Sequence, residues 1–393
     1  MPSSHRHTRA VPPLLKRLNE RTVLEAIRSG APISRAEISR RAGISKPTVS
    51  LALQSLHDAG LVREAEKHPE GPRYGAVFFE PVPDAALVLG LDLGARFLRG
   101  ALCDLQGVVL ARQDVELRGA GAPQAIELFA GLRDSLVAAA GLPAELIDSA
   151  VVGVPGAIPP DGRVRLAAKG LEGMDVAAEL GPRLGLPVFV ENDVNLAALG
   201  ERWLGVGRGI DDFAFISMGT GVGAGLVLRG ELHRGHAGAA GEFDSLPAGA
   251  GIDIDPTAAA VSAIAAAFAA EDGAGTTLRR PFDSPGVFSA ARAGDALARR
   301  VVEEVALRIS RYAVMVAAVT DVEVIVIGGG VGSNGDLLLE PIRAKLAEWM
   351  EYPPRLEVSS LGEAAVLSGA LSVGLRAALD NVFDNRRPAE VVA

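Results

Sequence analysis

The chain has 393 residues, 49% of them hydrophobic and only 4% aromatic, with 46 glycines and a formal charge of −9. Such a length points to two or three domains, with cores filled mostly by Ala, Val and Leu. A single cysteine, Cys103, excludes an internal disulfide framework and a cysteine-built zinc site. No apolar h-region follows the charged N-terminus, and Ala-rich stretches such as 257–270 are too short for a bilayer, so the expectation is a soluble, cytoplasmic protein with no membrane partner.

Charge is uneven along the chain. Residues 1–73 hold thirteen Lys and Arg against seven Asp and Glu, a balance of +6 that leaves −15 for the rest. A basic module that attracts phosphate, joined to an acidic body, is implied. Residues 1–13 are polar and basic with three prolines, the composition of a disordered arm. The apolar stripe Leu14, Leu15, Leu18, Val23, Leu24 and Ile27 predicts a helix over Leu14–Ser29, ended by Gly30-Ala31-Pro32. Ser34 and Glu37 read as the capping box of a second helix, which stops at Gly43 in a left-handed conformation. Ser45 caps a third, with Pro47 in its first turn, and Val49, Ala52, Leu53 and Leu56 give it one buried face. Gly60 ends it. Leu61–Arg63 and Tyr74–Phe79 read as short strands around a polar tip, Glu64–Arg73, and Pro81-Val82-Pro83 as part of a linker, 81–86.

This is the pattern of a winged helix-turn-helix over residues 14–80. The free face of the third helix, the second of the helix-turn-helix pair, carries Ser45, Lys46, Thr48, Ser50 and Gln54, side chains that can hydrogen-bond base edges or phosphates in the major groove of operator DNA. Gln54 suits plain solvation equally well. Backbone N–H groups at Ser45 favour a phosphate, and Lys67, His68 and Arg73 on the wing tip can reach an adjacent groove. A surface helical hairpin with solvated charges is the competing account. The preceding helix, the following wing and the local basic excess count against it.

From Leu87 the texture changes to strands, glycine turns and Ala-rich helices. Leu87–Val109 and Phe213–Gly235 are each strand, glycine turn, strand, turn, strand, which predicts a duplicated, two-lobed α/β body over 87–380. Asp92 and Gly94 end the first strand. Gly219, Thr220, Gly221 and Gly223 form a turn whose backbone N–H groups can approach an anion, although hairpins use glycine in any case. A third turn, Gly328-Gly329-Gly330, follows the apolar strand Val322–Ile327. Glu191-Asn192-Asp193 follows the strand Pro187–Val190. Two readings of Asn192 and Asp193 stand: hydroxyl ligands, with Asp193 as a base, or simple caps of the helix Val194–Trp203.

In combination these motifs resemble those of the ROK family (repressors, open reading frames and sugar kinases). The matching residues are Leu91–Gly94, Val154-Pro155-Gly156, Glu191–Glu201, Gly219–Gly225, Gly235–Glu242, Ile327–Gly330 and Gly335-Asp336. The resemblance implies a winged helix followed by an actin-like sugar-kinase fold, a sugar or sugar derivative bound between the lobes, and a homodimer or homotetramer. It places Asn192, Asp193 and Glu242 at sugar-binding positions and Asp193 at the kinase base. Asp92, Gly94, Gly219, Thr220, Gly221 and Gly223 fall on the phosphate loops.

The departures are specific. The family's Gly-Gly-Thr-Lys turn reads Gly94-Ala95-Arg96-Phe97. The family's Gly-His after the glutamate and its zinc cysteines are replaced by Phe243-Asp244-Ser245, and Asn-Leu-x-Gly-Trp by Gly170–Met174. The expectation is a sugar-responsive repressor that is not an enzyme and holds neither cofactor nor metal. An active kinase using ATP and Asp193, and a ligand-independent DNA-binding protein with a vestigial sugar site, are the alternatives.

Overall fold

The computed structural model describes residues 12–65, 76–119, 121–166, 170–243, 254–272 and 275–385. Helix α1 (Pro12–Gly30) leads to strand β1 (Ile33–Ser34), helices α2 (Arg35–Ala42) and α3 (Lys46–Asp58), and strands β2 (Val62–Glu64) and β3 (Phe78–Pro81). Local chemistry sets the helix ends. Ser34 Oγ accepts from Glu37 N at 3.3 Å, Ser45 Oγ accepts from Thr48 N at 3.4 Å, and Gly43 closes α2 at φ 66°. The capping box is only half made. Glu37 pairs with Arg40 and Arg41, at 2.6 and 2.8 Å, instead of returning to Ser34. Two guanidiniums on the next turn outcompete one backbone N–H for its charge.

Val49, Ala52, Leu53 and Leu56 of α3 are buried in one cluster with Val23, Leu24 and Ile27 of α1. The strands form an antiparallel sheet in the order β1-β3-β2. β1 was not foreseen, because two residues carry no period. β3 starts at Phe78, later than the expected Tyr74. Pro12 and Pro13, expected in the arm, open α1. The rest of the arm and the wing-tip residues Lys67, His68 and Arg73 lie outside the described residues.

The expected linker is a packed turn. Pro83–Ala85 make a single 3-10 turn, Ala85 and Ala86 are buried, and Leu105 N donates to Pro83 O at 3.1 Å. The winged-helix core therefore continues into the body: Val23, Leu24 and Ile27 share their apolar cluster with Cys103, Leu371 and Leu375.

The body repeats one topology twice. The first sheet takes β4 (Leu87–Leu93), β5 (Phe97–Asp104) and β6 (Val109–Glu116). Helix α4 (Ala122–Ala140) leads to β7 (Ile147–Val154), and α5 (Val176–Leu184) to β8 (Val188–Asn192), giving the order β6-β5-β4-β7-β8. Helix α6 (Asp193–Leu204) crosses to β9 (Phe213–Met218), β10 (Val222–Leu228) and β11 (Glu231–Leu232). Helices α7 (Ala258–Asp272), α8 (Ser284–Arg292) and α9 (Ala296–Thr320) precede β12 (Val324–Gly328). Then α10 (Gly329–Gly332) and α11 (Gly335–Trp349) lead to β13 (Arg355–Val358), in the order β11-β10-β9-β12-β13. In both sheets the leading strand pairs antiparallel with its hairpin partner and parallel with the next crossover strand. The two glycine-rich meanders are thus equivalent halves.

The last helix, α12 (Ala365–Asn385), packs against α6, β4 and β7. Among the described residues, Gly362–Leu379 is the one stretch long and apolar enough to cross a membrane. Its Leu367, Ala370, Leu371, Leu375 and Ala378 are buried in the protein's own core.

Candidate functional site

The carboxyl ends of β4, β7, β8 and β9 open onto one cavity of about 560 Å³, where parallel strands place ligands. Gly94, Asn192, Asp193, Gly219, Thr220, Gly221, Gly223 and Glu242 all line it, so the fold brings together residues far apart in sequence. Asp92 stands behind the wall, 3% exposed.

Asn192 is a cap and a wall at once. Its Oδ1 accepts from Asn195 N at 2.8 Å, closing the N-terminus of α6. Its Nδ2 donates to Gly156 O at 3.1 Å and to Glu242 Oε1 at 2.9 Å. Glu191 fixes this corner from behind, accepting from Asn192 N at 3.0 Å, Asn195 Nδ2 at 2.9 Å and Arg234 Nε at 2.6 Å. Glu242 is positioned by the preceding loop, in which Gly241 O accepts from Ala224 N of β10 at 2.8 Å. Gly241 has φ 85°, and a Cβ there would overlap the Ala224 carbonyl, so only glycine permits this docking.

Sequence reasoning missed Arg99. The β4–β5 hairpin sets Arg99 opposite Asp92, and the β5–β6 pairing sets it opposite Asp114. Arg99 Nη1 donates to Asp92 Oδ2 at 3.2 Å, Nε lies 3.5 Å from Asp114, and the second Nη meets Glu363. The signal was present: a hairpin turning at 94–96 pairs 92 with 99, and opposite charges at such positions attract. The two glycine turns also close on themselves. Gly94 N donates to Phe97 O at 3.0 Å and Gly219 N to Gly221 O at 2.9 Å.

Burial pushes the Asp92 carboxyl up to about 6, although Arg99 beside it pulls the other way. Asp193 is pushed up to about 8, first by burial and then by the negative charge of Asp92, with Glu242 adding to it. A carboxyl held protonated at neutral pH donates a hydrogen bond, which suits a neutral polyol better than the abstraction of its proton.

On α3, Ser45, Lys46 and Gln54 are exposed while Thr48 and Ser50 are half-buried. Ser50 Oγ donates to Lys46 O at 2.9 Å and Gln54 Nε2 to Asp58 Oδ1 at 2.8 Å, so both are tied to their own helix. Leu51, passed over in the sequence, stands 74% exposed on the same face, and its methyl groups suit the methyl of thymine.

Comparison with known proteins agrees with this architecture. Residues 88–376 match the model of the ROK family, and residues 15–71 match the model of the MarR family. The chain belongs to the ROK family. It is 25% identical over 386 residues to the xylose repressor of Caldicellulosiruptor bescii, covering 92% of this chain and 96% of that one. It is 28% identical over 313 residues to the glucokinase of Streptomyces coelicolor, covering 72% of this chain and 96% of the kinase. The crystal structure of a ROK family transcriptional regulator, homologous to the Escherichia coli Mlc protein, superposes with a TM-score of 0.77 over 95% of this chain and 98% of that one. At 22% identity that likeness establishes the shared fold. The repressor is matched through the winged helix as well as the ROK body, whereas the glucokinase is matched along nearly its whole length by only part of this chain.

Proposed function

We propose that this protein is a DNA-binding transcriptional repressor of carbohydrate metabolism whose ROK body binds a sugar without phosphorylating it. The observation that carries the reading is the pairing of a winged helix with a ROK cavity behind whose first phosphate loop Asp92 is held in an ion pair with Arg99. The Arg99 guanidinium lies against Asp92, which the family resemblance places on a phosphate loop. Ala95 adds a methyl group to the turn, and the Gly94 and Gly219 N–H groups are spent on turn closure. These residues do not fit a metal–nucleotide. The hydroxyl-binding side is kept in Asn192, Asp193 and Glu242, and xylose is the first effector to try, because the repressor relatives are named for it.

In this reading α3 enters the major groove, with Lys46 on phosphate and Ser45, Thr48, Ser50, Leu51 and Gln54 against bases or backbone. A homodimer presents two such helices to a palindromic site. The test is binding to the protein's own promoter, with and without pentoses, hexoses and amino sugars, alongside a coupled ADP-release assay on the same sugars. The expected result is tight, strongly salt-dependent binding that one sugar releases, with no ADP formed. Weak, sequence-independent binding at physiological salt overturns the repressor reading. ADP formation abolished by Asp193→Asn overturns the non-kinase reading and favours the glucokinase relatives.

A further inference from the structure

A second cavity, about 370 Å³, lies where the winged helix rests on the body and shares no lining residue with the first. Its walls come from α1, the C-terminal half of α6 and α12. Four arginines line it: Arg21 and Arg28 from α1, Arg202 from α6 and Arg376 from α12. Glu25 is the carboxylate that lines the cavity with them. In a chain of net charge −9 this is a local reversal of sign. Arg28 is braced by Glu25 at 3.2 Å and by Leu105 O at 3.2 Å, and Arg202 by Ile210 O at 2.9 Å with Asp211 3.6 Å away. A guanidinium has five N–H donors, so such bracing holds the group in place and leaves donors over. Arg376 is exposed at the rim, and Trp203 offers a flat apolar wall.

We propose that this cavity binds a small phosphate ester with two or more negative charges, of the size of a sugar phosphate, and that the bound anion ties α1 to α6 and α12. Planar guanidinium forks match phosphate oxygens two at a time, and the volume suits a small metabolite. The position gives the ligand leverage. α6 begins in the first cavity at Asp193 and ends at this one, while α1 carries the winged helix, so the anion acts on the joint between reading head and body. Binding of the anion stands apart from the repressor function proposed above; its effect on DNA rests on that function.

The test is calorimetric titration of the full chain with glucose 6-phosphate, inorganic pyrophosphate and glucose. Both anions are expected to bind, and Arg376→Ala to weaken each roughly tenfold, as Arg21→Gln does, while Glu242→Ala in the first cavity leaves anion affinity unchanged. Equal melting temperatures of the arginine variants and the parent check that the fold is kept. Absence of anion binding, binding indifferent to both arginine variants, or glucose 6-phosphate binding lost only in Glu242→Ala each overturns the proposal. At matched ionic strength, saturating pyrophosphate is expected to change promoter affinity roughly fivefold or more in the parent and not in Arg376→Ala. Binding that leaves promoter affinity unmoved overturns the coupling to DNA.

Discussion

Two carboxyls, Asp92 in the core and the half-buried Asp193 in the cavity wall, give the body a pH signature. Asp193 binds its proton up to about pH 8 in the folded chain against an ordinary 3.8, and Asp92 up to about 6. Between the two values the native state holds more protons than the unfolded state, so stability falls as pH rises through that window. Melting between pH 6 and 8 tests this. The parent is expected to lose stability on going to pH 8, and Asp193→Asn to shrink that loss by on the order of 2 °C, becoming the more stable chain at pH 8. Identical pH slopes in the two proteins would mean that Asp193 ionises as if in water. Residues at this scale were legible where a motif is local. Asn192, Asp193 and Glu242 fall on one wall because strand ends and a glycine-closed loop carry them there. Arg99 was not legible from motif alone, since its partners Asp92, Asp114 and Glu363 meet it only across strands and from the far end of the chain.

Elements were read best where their ends carry chemistry. The helices α2 and α3 have a serine cap, and the turn between them holds a left-handed glycine, so their limits followed from a few residues. The strand β1 and the half-made capping box depended on pairing and competition that a single stretch does not reveal. The crossing of α6 and α12 was also hidden, although it joins the first cavity to the winged helix. A Cβ on Gly369 would overlap the backbone carbonyl of Leu196, and one on Gly200 that of Ala365. The two helices therefore touch backbone to backbone, as only glycine allows. Gly369→Ala gains helix propensity but drives the helices apart, and a net loss of about 1–3 kcal/mol is expected in urea unfolding. Gly131 of α4 has open space around its Cβ position. Gly131→Ala is therefore expected to stabilise by about 0.5–1 kcal/mol. Equal effects at the two sites would mean that propensity, not contact, governs Gly369.

For the whole molecule, the decisive feature is that no loose tether separates reader from sensor. Ala85 and Ala86 are buried, Leu105 is bonded to Pro83, and the α1 cluster extends to α12. α6 starts at Asp193 in the first cavity, crosses α12 at the glycine contacts, and α12 packs against α1 at the joint. Such a connection permits coupling; its size depends on how differently the sugar binds the DNA-competent and incompetent arrangements. Linkage then fixes a relation that needs no knowledge of the path. If a sugar weakens promoter binding by a given factor, the promoter must weaken sugar binding by the same factor. Titrating the effector into the free chain and into the chain saturated with promoter DNA measures one side, and titrating DNA with and without effector measures the other. The two factors are expected to agree, in the range of roughly 5–150-fold. In Gly369→Ala, where the crossing is disturbed, both are expected to fall together while intrinsic sugar affinity in the first cavity changes less. A sugar that binds tightly yet leaves promoter affinity unchanged would show that the body is a passenger on the winged helix.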